Sequence, residues 1–196
     1  MSHNHCSPQE AASSAVKWNA VLAIGEAAAA AYFLNIGFLS ETFHNAADSL
    51  SFLAKRRAMD TEKSKSINFR KIGAGIFIFG SLAGIGGAAA RLVENGNEDA
   101  SAAAIIVATA AAAANTRVAF RAHSAEHLDH DHIVEGAHGD SKTHAMADAV
   151  TGWAYVGGLA AEHVFPIAGD ITVMGMGAFS VGAAGIIVRR IRNTKD

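Results

Sequence analysis

Two identical His-x-x-x-Asp pairs, far apart in the chain and each inside an apolar segment rich in Ala and Gly, constrain this sequence more than any other feature. They are His44 with Asp48 and His144 with Asp148. Residues four apart on an α-helix lie on the same face, so each pair directs an imidazole and a carboxylate the same way. Two such helices side by side supply four ligands, and these ligand types suit a divalent transition ion such as zinc. We therefore predict a metal site shared by two distant helices.

The composition favours an all-α membrane protein. Of the 196 residues, 51% are hydrophobic and only 17% are charged, against a typical charged share of roughly 25%. Ala is the best helix former, and Gly is unusually common in membrane helices. An Ala-rich helical bundle in water shares this composition, since the mean hydropathy is only +0.20. The net charge of −2 gives no case for a nucleic-acid partner, and a single cysteine excludes an intramolecular disulfide.

Six apolar segments have lengths within the range of about 17–25 residues that a helix needs to cross a membrane. The sequence therefore predicts a transmembrane domain over 16–190, preceded by an N-terminal tail over 1–15 that has no signal-peptide pattern. We expect a His-rich cytoplasmic loop over 121–142 and a short C-terminal tail over 191–196, with no cytoplasmic domain after it. The predicted spans are 16–34, 38–54, 72–93, 100–120, 143–161 and 171–188.

The basic residues are sorted between alternate loops. Six spans place both termini on one side, and the segments on that side hold all but one of the 16 Lys and Arg residues. The exception, Arg91, is near the end of the third span, and the three opposite turns hold none. This asymmetry is typical of membrane proteins with the basic side in the cytoplasm. We predict a multi-pass protein of a bacterial cytoplasmic membrane, with the lipid bilayer as its surroundings.

Ionisable residues inside a predicted span cost several kcal/mol each, so they persist where they pair, bind an ion or line a path. In the second span, Glu41, His44, Asp48 and Ser51 follow steps of 3, 4 and 3, which is one helical face. The structural alternative to a shared ion pairs each His with the Asp four residues on, or with its opposite number on the other span. The candidate secondary or path residues are Glu26, Glu41, Ser51 and Thr151.

A polar stretch between the fourth and fifth spans is rich in histidine and acids. It is a candidate metal-collecting loop, and a solvated linker is the alternative. Its candidate ligands are His123, His127, His130, His132 and His138.

Two stretches, 40–49 (SETFHNAADS) and 144–148 (HAMAD), resemble the second and fifth spans of the cation diffusion facilitator family, which includes the eukaryotic zinc transporters. The family's six spans, cytoplasmic termini and His-rich loop between spans four and five are similar to the organisation above. The resemblance implies that His44, Asp48, His144 and Asp148 are the zinc-preferring transport-site ligands. Glu41 stands where the family usually has Asp. We expect no counterpart of the cytoplasmic domain that family members usually carry after the sixth span.

The resemblance implies a transporter and not an enzyme: a proton-coupled antiporter that exports Zn²⁺ by alternating access. Without the cytoplasmic domain, a homodimer rests on membrane helices, in particular the Gly-rich third and sixth. Gly80 and Gly84 give the small-x-x-x-small spacing of a dimer face or of packing within one subunit. The alternatives are an intramembrane zinc-dependent hydrolase, against which four protein ligands argue, and a helical metal-storage or sensor module.

Overall fold

The computed structural model describes residues 7–59, 63–94, 101–126 and 135–193, and within them it contains only helices and turns. This confirms the all-α prediction. The six helices are α1 (Pro8–Phe33), α2 (Ile36–Met59), α3 (Lys63–Glu94), α4 (Ala102–Glu126), α5 (Glu135–Ala161) and α6 (Ala168–Asn193).

Every helix is longer than the apolar segment that predicted it, so the helices extend into several of the predicted tails and loops. Residues 8–15 belong to α1 and 191–193 to α6, and the basic segment 55–71 and the predicted loop 121–142 are helical at both ends. At the start of α1, Ser7 and Glu10 cap each other's backbone N–H groups, and Pro8 occupies the first turn. Hydropathy marks only the apolar part of a helix, whereas Ala, Lys, Arg and Glu continue it into polar surroundings.

Two helical stretches, Lys71–Glu94 and Ala102–Arg121, are long and apolar enough to cross a membrane by length and composition. No other stretch of the described residues meets the same criterion of length and composition. In α1 and α2 the polar content lowers the mean hydropathy, through Asn19 and Glu26 in α1 and the ligand face of α2. Hydropathy thus supports two membrane-crossing segments, and buried core helices of water-soluble proteins share this property.

The helices pack in the order α1, α2, α3, α6, α5, α4, with α4 returning to α1. Helix α2 also contacts α5 and α6, in addition to its neighbours α1 and α3. No residue between 36 and 55 is exposed. As a result, the most polar of the apolar segments is also the most enclosed.

A tight turn joins α1 to α2 and fixes where α2 begins. Leu34 adopts the left-handed conformation, with φ of 51°. Asn35 then caps α2, because its Oδ1 accepts the backbone N–H of Phe38 at 3.1 Å. The same oxygen accepts the hydroxyl of Tyr155 on α5 at 2.6 Å. The turn therefore holds the start of α2 against α5, the two helices that carry the His-x-x-x-Asp pairs.

Glycines on α3 allow it to approach α2 closely. A methyl group added at Gly80 would overlap the side chain of Phe43, and one added at Gly84 would lie 2.8 Å from Ser40 Oγ. Both residues face α2 of the same chain, so of the two predicted roles for this pair, packing within one subunit is the observed one.

One ion pair ties the end of α3 to the start of α6. Arg91 donates from Nε at 3.0 Å and from Nη2 at 2.6 Å to the same oxygen, Oδ1 of Asp170. Asp170 is fully buried. Arg91, the one Lys or Arg outside the predicted cytoplasmic segments, thus forms an ion pair between two helices.

Gly80→Ala is expected to lower the free energy of unfolding by about 1–3 kcal/mol, because the added methyl overpacks the contact with Phe43. Gly25→Ala, also within a helix (α1), is the matched control. Its added methyl meets no atom within 4 Å, so better helix propensity alone raises stability by up to about 1 kcal/mol. Thermal unfolding of the purified variants measures both effects. Equal stability of the two variants would contradict the close approach of α2 and α3.

Candidate metal centre

Of the four predicted ligands, the three whose side chains the structure describes converge inside the bundle. His44 and Asp48 lie one turn apart on α2, and Asp148 lies on α5. Their side chains are 11%, 1% and 8% exposed. One ligand atom from each lies within 4.8 Å of the others, which is close enough for all three to hold one metal ion.

The His44 imidazole bridges the two helices through a single ring nitrogen. Its Nε2 is 2.7 Å from Asp148 Oδ1 and 3.4 Å from Asp48 Oδ2. With the carboxylate as acceptor, Nε2 carries the hydrogen and donates it to Asp148. A metal ion needs the lone pair of this same nitrogen, so proton and metal compete for one atom.

The ring of His44 is held from the side by Phe77 of α3. The two ring centroids are 4.7 Å apart, with the planes inclined at 50°. Because Phe77 is itself buried, the imidazole has little freedom to turn away from the carboxylates. The site is therefore organised by packing as well as by charge.

The fourth predicted ligand, His144, belongs to α5 by its backbone, one turn before Asp148. Its side chain lies outside the described part of the structure. The predicted loop ligands are also outside it: His127, His130 and His132 fall in 127–134, and the side chains of His123 and His138 are not described.

The candidate path residue Glu26 lies behind the ligand face, between α1 and α2. Its Oε2 accepts a hydrogen bond from Asn45 Nδ2 at 2.7 Å. Asn45 is fully buried and follows His44 directly, and its Nδ2 also lies 3.3 Å from the carbonyl oxygen of Glu41. Glu26 thus contacts the neighbour of a ligand and fixes α1 to the ligand-bearing turn of α2.

Of the remaining candidates, Glu41 and Thr151 lie beside the cluster and Ser51 does not. Glu41 and Thr151 line a small cavity that His44 also borders. Ser51 donates to the carbonyl of Ala47 at 3.1 Å and faces Gly73 on α3. The structure therefore does not bring Ser51 together with Glu41 and Thr151 at this cavity.

Sequence reasoning missed Asn45, Ser81 and Ser180 as neighbours of the site. Asn45 is polar within an apolar segment and next to a ligand, which was a usable signal. The two serines come from Gly-rich segments of α3 and α6, and nothing in their spacing distinguishes them from serines that bond to their own helix. Only the packing of four helices brings them to the cavity.

Comparison of the chain with protein-family models, with curated proteins and with solved structures finds no match. The chemistry of the site therefore rests on its own geometry.

His44→Ala and Asp148→Asn are each expected to weaken binding of Zn²⁺, used as the probe ion, by at least about 100-fold. Loss of an outer-shell partner alone costs 10–100-fold, and these residues are the ligands themselves. Titration of the purified protein against a zinc-chelating dye measures the affinity. Ser51→Ala is the matched control on α2 and should leave the affinity unchanged, since its hydroxyl faces away from the cluster. Equal affinity for Zn²⁺ in all three variants would contradict the assignment of His44 and Asp148 as ligands.

Proposed function

We propose that this protein is a six-span membrane transporter that exports a divalent transition metal cation, Zn²⁺ above all, in exchange for protons. The observation that carries the proposal is the buried cluster of His44, Asp48 and Asp148 across α2 and α5. Imidazole and carboxylate are the ligands such ions use, and the site lies inside a bundle whose exterior is apolar.

The distribution of residues between surface and interior supports a membrane environment. Buried polar or ionisable side chains occur on all six helices, whereas α1, α3, α4, α5 and α6 each expose large apolar ones. In a lipid bilayer, such an apolar exterior contacts hydrocarbon and needs no protein partner. On a soluble monomer, an exterior this apolar is unusual. The exposed apolar set includes Trp18, Ile24, Phe79, Leu82, Ile106, Phe120, Val150, Trp153, Ile171 and Phe179.

The sorting of basic residues supports the proposed orientation. The turn at 34–35 and the turn at 162–167 carry no Lys or Arg, whereas the segment 55–71, which includes the end of α2 and the start of α3, is rich in both. With that segment in the cytoplasm, both termini are cytoplasmic and α2 runs from the outer side inward. The cluster on α2 and α5 then lies part-way through the membrane.

The donor set fits a zinc ion. Zinc accepts four ligands in tetrahedral geometry, with bonds of about 2.0–2.2 Å to imidazole nitrogen and carboxylate oxygen. Two such ligands lie about 3.3–3.6 Å apart, so the 2.7 Å contact between His44 and Asp148 must widen by less than 1 Å. His144, one turn before Asp148 on α5, is the proposed fourth ligand.

Exchange follows from the competition between metal and protons. Binding needs neutral imidazoles and ionised carboxylates, and the ordinary pKa of His is about 6.5, so its protonation weakens binding in mildly acidic solution. When the site faces an acidic exterior, protons displace the metal. When it faces the cytoplasm, the metal displaces the protons.

The proposal agrees with the resemblance to the cation diffusion facilitator family, which rests on residues 40–49 and 144–148. A homodimer through α3 and α6 belongs to it. Gly80 and Gly84 are used within the subunit. The positions on α3 and α6 available for close approach of a second copy are the exposed glycines with no neighbouring atom within 4 Å, namely Gly75, Gly86, Gly175, Gly182 and Gly185.

Zinc uptake into vesicles containing the purified protein tests this function. An acidic interior should raise the initial uptake rate, and a protonophore should abolish the increase, because outward proton flow drives the inward movement of metal. His144→Ala should abolish uptake. His163→Ala, which alters an exposed histidine in the turn after α5, is the matched control and should transport normally.

Uptake that ignores the pH gradient would remove the antiport claim. Tight binding without uptake would identify a storage or sensor module instead.

A further inference from the structure

The small cavity beside the metal centre lies where four helices meet. It holds about 10 Å³ of free space, close to the room that one water molecule needs. Its polar lining comes from Ser40, Glu41 and His44 of α2, and from Ser81, Thr151 and Ser180 of α3, α5 and α6. A partly enclosed space with this many polar side chains in a bundle with an apolar exterior favours a polar occupant.

Two of the cavity's hydroxyl groups have already used their hydrogens elsewhere. Ser81 donates to the carbonyl of Phe77 at 2.7 Å, and Thr151 donates to the carbonyl of Asp148 at 3.1 Å. A hydroxyl has one donor and two acceptor lone pairs, so what these two groups retain is acceptor capacity. The cavity lining is therefore rich in oxygen lone pairs, which favours a cation.

The carboxylate of Glu41 adds a formal negative charge to the same cavity. Glu41 is only 4% exposed. The charged groups that act on it are His44, Asp48 and Asp148, with Glu26 on the α1 side, and no Lys or Arg of the described residues is among them. A buried carboxylate surrounded mainly by other carboxylates is costly, and a bound cation offsets that cost.

We propose that this cavity is a second position for the transported divalent cation, with Glu41 as its principal ligand and the hydroxyl oxygens completing the shell. The inference rests on the proposed transport function. Apart from His44, which both positions share, its polar donors are oxygens, so it holds a transition ion less tightly than a site built from imidazoles and carboxylates.

The cavity lies on the outer side of the metal centre along the proposed transport path. Glu41 lies one turn before His44, toward the N-terminal end of α2. In the proposed orientation that end faces away from the cytoplasm. An ion leaving the imidazole-carboxylate cluster outward thus meets Glu41 next, and the second position acts in release.

Glu41→Gln in the full-length protein tests this role, because the amide keeps the shape of the side chain and removes its charge. We expect the maximal rate of Zn²⁺ uptake into vesicles to fall about tenfold or more, while the equilibrium affinity of the main site stays within about threefold of wild type. Glu41→Asp, which restores the charge, should recover most of the rate. A residue with a merely structural role would not produce this separation of rate from affinity.

Removal of the hydroxyl groups gives an independent test if Glu41→Gln does not fold. The double variant Ser81→Ala with Ser180→Ala should lower the maximal rate about threefold. Ser51→Ala is the control, since its hydroxyl lies outside the cavity. An unchanged rate in the double variant overturns the inference.

Two outcomes with Glu41→Gln would also overturn it. One is an uptake rate within twofold of wild type. The other is a loss of affinity equal to that of His44→Ala, which would make Glu41 part of the main site. If the wild-type protein neither binds nor transports Zn²⁺, the proposed function itself is wrong. If the wild-type protein transports Zn²⁺ normally and the Glu41→Gln variant is unaffected, only the second cation position is wrong.

Discussion

The contact between His44 and Asp148 links α2 to α5 across the interior of the bundle. The packing of the other helices around α2 is compatible with this contact and keeps it buried. A nitrogen and an oxygen 2.7 Å apart in a largely dehydrated interior form a strong contact. It would be costly to break without a replacement partner, since either group alone would then be buried unpaired. A metal ion that binds all the ligands at once is such a replacement.

The packing around α2 keeps its polar face away from the surroundings. The glycines of α3 allow that helix to lie close against Phe43 and Ser40, and the Asn35 turn fixes the start of α2 against Tyr155. Neither device takes part in metal chemistry. Both reduce the freedom of α2 to rotate, and rotation of a helix by a fraction of a turn would direct His44 and Asp48 elsewhere.

The charge balance of the interior favours the binding of protons or a cation there. Glu26, Glu41, Asp48 and Asp148 are buried close to one another, and His44 is the basic group that acts on them in the described residues. Arg91, nearer the outer end in the proposed orientation, is engaged with Asp170. Protons or metal ions must therefore supply the missing positive charge. This requirement connects the buried carboxylates to both the proposed exchange and the second cation position.

By itself, the sequence determined the helical class, the approximate number of helices and the residue types at the centre. Ala-rich segments with few prolines favour helices through local propensity, and a spacing of four residues on a helix places His44 and Asp48 on one face. Helix ends were predicted less well, because α1 and α5 continue into polar residues that hydropathy does not mark.

Only the tertiary structure decided which parts of that local pattern meet. It brought Asp148 to His44, turned Ser51 toward α3 and gathered Ser81 and Ser180 from separate helices around Glu41. The physical reason is that these contacts depend on the rotation and close approach of whole helices. Those follow from glycine contacts and buried hydrogen bonds between residues remote in the chain, which no periodicity within a single segment records.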